Sequence, residues 1–247
     1  MRHELRVILI VLGVAVDVSG CGKGGGVSDS RFTAQSVKVD AGSAFADVLG
    51  PGPITMPDGK AVTFDCYLLG QLSLPSGKVV AADGFIMFGA KPFTRSVKPG
   101  SYPVTVAVAL LGNDQRIAFA QLRFSDRRVA KWEMALTPGQ DPTKLKADEI
   151  YCYGVDSGTG SFADPGAQEV LSARDARKLV DDAMAEMKKT YVPTRDWVII
   201  NTPKGSAALF SSGWGDGGYA SYFGLDQNNE PVTLVTDFQV IEWKRRP

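Results

Sequence analysis

The chain has 247 residues, 44% apolar and 22% charged, an ordinary globular composition long enough for one large domain or two small ones. Lys plus Arg and Asp plus Glu each number 27, so the chain lacks the basic excess that neutralises phosphates, and no nucleic-acid partner is expected. The single histidine, His3, lies in a segment that we predict to be removed. A mature chain without histidine excludes His-ligated zinc sites and imidazole-based catalytic triads, and we expect no metal and no cofactor.

The first 21 residues have the layout of a secretory signal peptide. Basic residues precede an apolar run, Val7 to Val16, that is too short to span a bilayer core of about 30 Å. The run is followed by Val18-Ser19-Gly20-Cys21, which resembles a bacterial lipobox, where the cysteine receives a diacylglycerol and becomes the mature N-terminus. The alternative is an uncleaved N-terminal helix with a chance cysteine, and Asp17, close to the apolar run, keeps that alternative open.

These observations divide the chain into three parts. We predict a signal peptide over residues 1–20, a lipidated Cys21 with a flexible glycine-rich tether over residues 21–35, and a single domain over residues 36–247. The protein would then be exported and anchored to a bacterial membrane through Cys21, so that the membrane is a partner.

The strand pattern of the domain is clearest over residues 62–136. The segments PVTVAVALL, RIAFAQLRF and VAKWEMAL are separated by the short polar turns NDQ and SDRR, and are most simply an antiparallel meander. Further strands follow the predicted helix, at WVIIN, SAALFSS, 219–225 and 232–240. The fold class is therefore α+β, mainly antiparallel β-sheet, either as one unit or as a β-rich lobe over about 60–138 and an α+β lobe over about 150–243.

A helical period occurs between Ser172 and Lys189. Apolar residues recur at three- and four-residue steps, and Ser172 is a candidate N-cap. The sequence predicts one principal amphipathic helix over about 173–189, packed on the sheet with Leu179 and Val180 in its buried stripe.

If Cys21 carries the lipid, two other cysteines remain, Cys66 and Cys152. An exported compartment permits disulfides, so the two could pair. Two separate buried thiols are the equal alternative.

The segment YGVDSGTGSFAD, Tyr153 to Asp164, carries Asp156 at the start of a signature like that of aspartic proteases. Those enzymes use two carboxylates that share one proton, and this chain has only one such signature. The pattern therefore favours a glycine-rich turn in which Asp156 accepts backbone hydrogen bonds.

The segment FSSGWGDGGYASYFGLD, Phe210 to Asp226, combines five glycines with five aromatic residues. The glycines permit positive φ and the close approach of another backbone or a ligand. Asp216 lies between two of them, where packing gives no reason for a charge, and this favours a functional role. Trp214 and Tyr219 could form a stacking surface for a sugar or a peptide, although the pattern favours aromatics that face the core.

The stretch DQNNEP, Asp226 to Pro231, places oxygen-bearing side chains at alternate positions, as calcium loops do. It lacks the bidentate glutamate and the sharp glycine turn that calcium loops require. A polar hairpin turn explains it better.

Six blocks occur in a fixed order between Leu72 and Phe238: LPSGKVVAAD, PGSYPVTVAV, RIAFAQLRFSDRRVAKWEMAL, YGVDSGTGSFAD, SSGWGDGGYASYFGLD and LVTDF. Together they resemble the bacterial DUF4241 family of uncharacterised proteins. The family pattern often has cysteine where this chain has Ala82 and Ser161, and the loss of stray thiols would suit an exported protein. The resemblance implies a shared fold and a shared site, but no activity.

Two functions are consistent with the sequence. The first is a non-enzymatic binding module of the cell envelope, with an unknown envelope protein or small ligand as partner, whose site lies where loops 154–164 and 213–217 meet. The second is a hydrolase that uses Asp156 and Asp216 as an acid/base pair. The candidate ligand-binding residues are Gly158, Gly160, Asp164, Trp214, Tyr219 and Asp226.

Overall fold

The computed structural model describes residues 31–33, 52–55, 61–146 and 149–241, the first two ranges by their backbone alone. The predicted signal peptide and the lipobox cysteine Cys21 lie outside the described residues, as does most of the predicted tether. Within the described residues, no helix is long and apolar enough to cross a bilayer.

Fourteen β-strands and two α-helices make up the described part of the chain. The strands are β1 Arg31–Thr33, β2 Gly52–Thr55, β3 Ala61–Leu74, β4 Val80–Asp83, β5 Gly100–Leu111, β6 Asp114–Arg123, β7 Lys131–Met134, β8 Glu149–Tyr151, β9 Tyr153–Val155, β10 Thr159–Ala163, β11 Trp197–Thr202, β12 Gly205–Ser211, β13 Gly217–Leu225 and β14 Pro231–Asp237. The helices are α1 Pro165–Leu171 and α2 Arg177–Met187, and single 3₁₀ turns occupy Pro142–Lys144 and Lys188–Thr190.

The largest sheet has eight antiparallel strands. Seven follow the order β2-β3-β5-β6-β14-β13-β7, and the eighth, β9, pairs with β13. This confirms the mainly antiparallel α+β prediction. The predicted three-stranded meander is wrong at its third strand: β5 and β6 form a hairpin, but β7 pairs with β13 on the far side of β14. The physical reason is burial, because β14 is buried at all but its first residue, whereas none of the four residues of β7 is fully buried.

A second sheet has four antiparallel strands in the order β11-β12-β10-β4 and packs face to face with the large sheet. Phe162 and Phe210 from the small sheet share one core with Val106 and Leu122 from the large sheet. The other face of the small sheet is covered by α2, so β12 is apolar and buried on both faces. A two-stranded sheet joins β1 to β8.

The helix predicted over about 173–189 corresponds to α2, and a second, shorter helix, α1, precedes it. Asp164 caps α1 by accepting a hydrogen bond from the Gly166 N–H at 2.7 Å, and Pro165 occupies the first helical position, a strong start signal that the helical period alone did not reveal. Ser172 is the C-cap of α1, and α2 begins five residues later without a side-chain cap. The buried residues of α2 are Ala183 and Met187, whereas Leu179 and Val180, predicted for the buried stripe, are half-buried.

The two methionines of α2 give a matched pair for testing which face of the helix is buried. Met187 is 4% exposed and Met184 is 44% exposed. Met187→Ala should lower the free energy of unfolding by about 2 kcal/mol, at the low end of the range for buried methionines because the helix forms an outer layer that can collapse. Met184→Ala should change it by less than about 0.5 kcal/mol. Urea unfolding of both variants checks this, and equal losses would contradict the orientation of the helix.

Candidate functional site

Three loops meet at one end of the four-stranded sheet. β4 ends at Asp83, β10 begins at Thr159 and β12 ends at Ser211. The register sets Asp83 opposite Gly160 and Thr159 opposite Ser211, so these strand ends are level and their loops lie side by side. We call this end the loop rim, and its three loops are residues 84–91, 156–158 and 212–216.

Asp83 holds two of these loops together and is only 4% exposed. Its Oδ1 accepts hydrogen bonds from the N–H groups of Phe85 (2.8 Å) and Ile86 (3.0 Å). The same oxygen accepts from the Ser157 hydroxyl at 2.7 Å. Its Oδ2 accepts from the N–H groups of Asp156 and Ser157, each at 2.8 Å. Five donors thus converge on one buried carboxylate, which fixes the backbone of both loops.

The two predicted aspartate loops also contact each other. The Gly158 N–H donates to Asp216 Oδ1 at 3.0 Å, and the Ser212 N–H donates to the Gly158 carbonyl at 3.0 Å. Gly158 has φ +65, a conformation that favours glycine and turns its N–H toward Asp216. The Asp156 side chain, two residues earlier, is exposed, as is that of Asp216. The structure therefore brings both loops to one exposed surface.

The third loop presents Trp214 on a braced turn. The Gly215 N–H donates to the Ser212 carbonyl at 2.8 Å, and the Ser212 hydroxyl donates to the Gly215 carbonyl at 2.8 Å. The Tyr219 hydroxyl lies beneath, 3.0 Å from the Ser212 carbonyl and 2.7 Å from the Gly215 carbonyl. Gly213 has φ +53, and a Cβ there would lie 2.8 Å from a neighbouring backbone oxygen, so only glycine fits this turn.

The Trp214 ring is 56% exposed, although the turn that carries it is fixed. The Arg116 guanidinium carbon lies 4.9 Å from the centre of the ring, within range of a cation–π contact. Arg116 is held in turn by an ion pair between its Nε and Asp114 Oδ2 at 2.9 Å. One face of the indole is thus supported while much of the ring stays open to a ligand.

Tyr219 supports this turn from below. It is 4% exposed, and burial raises the pKa of its hydroxyl to about 12. Its ring makes an edge contact with Phe238 at 5.0 Å between centroids. The side chain therefore holds the Trp214 turn from inside the core.

Three other predicted ligand residues lie away from the rim surface. A Cβ at Gly160, within β10, would approach the Phe238 ring to 3.2 Å, so this glycine permits close packing. Asp164 is 1% exposed and, besides capping α1, accepts from the Ser76 N–H at 3.0 Å and the Ser76 hydroxyl at 2.6 Å. Asp226 lies at the far end of β13 from Trp214. These positions have structural partners, and their binding roles stay predictions.

The stretch that begins at Asp226 forms the β13–β14 turn, as the polar-hairpin interpretation predicts. Asp226 Oδ1 accepts hydrogen bonds from the N–H groups of Asn228 and Glu230, each at 2.9 Å. Its Oδ2 accepts from Arg127 Nη1 at 2.5 Å. No group of three or more His, Cys, Asp or Glu side chains in the described ranges is placed to hold a metal ion.

A cavity of about 80 Å³ lies beside the rim, between the 84–91 loop and strands β8 and β9. Ile86, Lys91, Tyr151 and Cys152 are among the residues that line it. Cys152 is buried and Cys66 is half-buried, and the two are not joined by a disulfide.

Residues 72–236 match the family DUF4241, described as a protein of unknown function, over more than half of the chain. The chain belongs to the DUF4241 family. The matched region contains all three loops of the rim. In this DUF4241 chain, Ala82 and Ser161 lie opposite each other on β4 and β10, and the Ser161 hydroxyl donates to the Ala82 carbonyl at 2.9 Å. No curated protein and no solved structure matches the chain.

The rigidity of the Trp214 turn can be tested at Tyr219. Tyr219→Phe removes the hydroxyl that reaches two carbonyls and should lower the free energy of unfolding by about 1–2 kcal/mol. Since the folded-state pKa is raised to about 12 from an ordinary value near 10, the hydroxyl's contribution should be complete below pH 10 and should disappear as pH rises from 10 to 12. Urea unfolding at pH 8 and pH 11 checks this, and a difference between the proteins that grows with pH would contradict it.

Proposed function

We propose that this protein is a lipid-anchored binding module of the bacterial cell envelope, and that its ligand contacts Trp214, Asp156 and Asp216 on the loop rim. The observation that carries the proposal is a 56% exposed indole on a turn that three side-chain and backbone contacts hold fixed. A fixed aromatic group loses little conformational entropy on binding, and tryptophan is enriched among the residues that dominate binding energies.

The chemistry of the rim indicates the kind of ligand. An open indole face suits the apolar face of a sugar ring or a peptide side chain. The exposed carboxylates of Asp156 and Asp216 lie on adjacent loops and suit amino groups. Cell-envelope fragments that combine sugar rings with amine-bearing peptides offer both features, and we take a soluble muropeptide as the probe.

Calorimetric titration of the full chain with this muropeptide tests the proposal. Trp214→Ala should weaken binding at least about tenfold, equivalent to ~1.4 kcal/mol. Asp216→Asn should also weaken it while keeping the fold, because the amide oxygen can still accept the Gly158 N–H. Leu68→Ala is the matched control, since Leu68 is 66% exposed but lies on β3, away from the rim. If the wild-type protein does not bind, or if the Trp214 and Leu68 variants bind equally, the proposed site is wrong.

A hydrolase with an aspartate pair is the second candidate. The contact between Gly158 N and Asp216 Oδ1 favours it, because this contact brings the Asp216 carboxylate next to the loop that carries Asp156. Glycoside hydrolysis requires two carboxylates on either side of the scissile bond. Incubation of the wild type, Asp156→Asn and Asp216→Asn with the same muropeptide, followed by mass spectrometry, decides between the two functions. Cleavage that either variant abolishes would favour the hydrolase, and intact ligand would favour the binding module.

A further inference from the structure

The 84–91 loop of the rim carries an exposed apolar surface that the proposed ligand site does not use. Phe88 is 74% exposed and Ile86 is 52% exposed. Met184, on the adjoining α2, is 44% exposed. Between the loop and the helices lies a groove of about 210 Å³, whose lining side chains are mostly apolar and include Leu171 and Val180. Ile86 and Phe88 both line this groove, and exposed apolar side chains beside an apolar groove mark a contact with another molecule or with a membrane.

Hydrogen bonds hold the backbone of the 84–91 loop, so the exposure of Phe88 is not a consequence of a flexible loop. Asp83 binds the N–H groups at the start of the loop. From α1, Gln168 Nε2 donates to the carbonyls of Met87 at 2.6 Å and Ala90 at 2.7 Å. The Ala90 N–H closes the turn by donating to the Met87 carbonyl at 3.1 Å. Phe88 therefore stands at the tip of a braced turn and points away from the core.

The predicted lipid anchor enters the domain beside this loop. Arg31, the first residue of β1, pairs with Tyr151 of β8. Tyr151 lines the same cavity as Ile86 and Lys91 of the loop. Arg31 is ten positions after Cys21, and a fully extended chain of that length reaches at most about 35 Å. A lipid on Cys21 thus keeps the bilayer within that distance of Arg31, whose partner Tyr151 lines the same cavity as Ile86.

The charges near the loop do not oppose an anionic surface. Lys91 and Arg177 are exposed cations, and neither forms an ion pair among the residues that the structure describes. Asp181 is an exposed carboxylate on the same helix as Arg177. The 84–91 loop itself carries no acidic side chain, so its exposed apolar side chains decide its partner.

We propose that Phe88 and Ile86 enter the interfacial layer of the membrane to which Cys21 is anchored, so that the domain stands on the bilayer with its 84–91 loop downward. This inference rests on the lipid anchor of the proposed function. A protruding aromatic and a branched aliphatic side chain lose contact with water when they enter the boundary between headgroups and acyl chains, and this supplies the free energy of the contact. The ligand site of the rim then lies close to the membrane surface.

Tryptophan placed at the tip of the loop tests the contact directly. The full-length acylated protein is reconstituted into phosphatidylethanolamine–phosphatidylglycerol vesicles, with and without bromine on the acyl chains. Phe88→Trp should show added emission that is shifted to shorter wavelength and quenched by the brominated lipid. Leu68→Trp is the matched control, because Leu68 is similarly exposed but lies on β3, and its added emission should be unquenched.

The results of this experiment distinguish a failure of the membrane contact of Phe88 from a failure of the lipid anchor at Cys21. Equal emission of Phe88→Trp in the two kinds of vesicle, with acylated protein, overturns the membrane contact. A blue shift without quenching also overturns it and indicates that a protein or a second copy covers the loop. If mass spectrometry finds no acyl chains, the anchor fails, and the same variant mixed with preformed vesicles then decides the loop by itself. Quenching in that experiment supports the contact, and no quenching overturns it.

Discussion

Replacing Asp83 by alanine should lower the free energy of unfolding by about 4 kcal/mol or more, one of the largest effects of any single substitution in the domain. The carboxylate is 4% exposed and accepts five hydrogen bonds, four of them from backbone N–H groups of the 84–91 and 156–158 loops. Alanine leaves these donors without an acceptor. Each buried donor that loses its partner costs about 1–3 kcal/mol, so the sum remains large even if water reaches some of them.

Urea unfolding monitored by circular dichroism measures the effect of Asp83→Ala. Asp65→Ala is the control, because Asp65 is exposed on β3 and should change stability by less than about 0.5 kcal/mol. Asp83→Asn should fall between the two, since its amide retains one oxygen for the donors and presents two hydrogens to the rest. A loss below about 1 kcal/mol for Asp83→Ala would show that the two loops keep their structure without this carboxylate.

The sequence correctly predicts those features that depend on residues close together in the chain. The mainly antiparallel α+β class follows from apolar and alternating segments between short polar turns, and the turn before Asp114 does join β5 to β6 as a hairpin. The sequence also predicts that the glycine-rich loops of Asp156 and Asp216 meet, and Asp216 has a structural part in this because it accepts the Gly158 N–H. The structure brings the loops of Asp156 and Asp216 into contact, as their composition suggested.

Features that depend on distant partners were not readable from the sequence. Asp83 ends the run VVAAD, and three of its five donors lie 73 and 74 residues later in the chain. The signal that could have identified it is physical: an acid directly after a buried apolar run must find donors or stay exposed. The place of β7 likewise depends on β14, which is about 100 residues distant and more completely buried.

The start of α1 shows a third reason for a wrong prediction. The helical period predicts Ser172 as the N-cap of α2, but Ser172 is the C-cap of α1. The start signal Asp164-Pro165 lies at the end of a glycine-rich block, whose composition predicts a ligand role for Asp164. In the structure, the Asp164 carboxylate accepts hydrogen bonds from Gly166 and from Ser76. These bonds compensate for the burial of its charge and cap the helix.

Cys21→Ser should abolish stable membrane association, the largest effect that we expect on the behaviour of the protein in the cell. The predicted lipobox leaves Cys21 as the residue that carries a diacylglycerol. Two acyl chains, at about 0.8 kcal/mol per buried methylene, anchor a protein far more firmly than any side-chain contact can. The Phe88 loop alone buries too little apolar surface to replace them.

Detergent phase partition and the intact mass of the mature protein measure this outcome. The wild type should enter the detergent phase and carry the mass of its acyl chains, whereas Cys21→Ser should stay in the aqueous phase or accumulate as an uncleaved precursor without them. Cys66→Ser is the matched control, because this half-buried cysteine lies on β3 and its loss should leave acylation unchanged. If Cys21→Ser partitions like the wild type and neither protein carries acyl chains, residues 1–21 are an uncleaved helix, as Asp17 allows, and membrane association must then come from the apolar run Val7 to Val16.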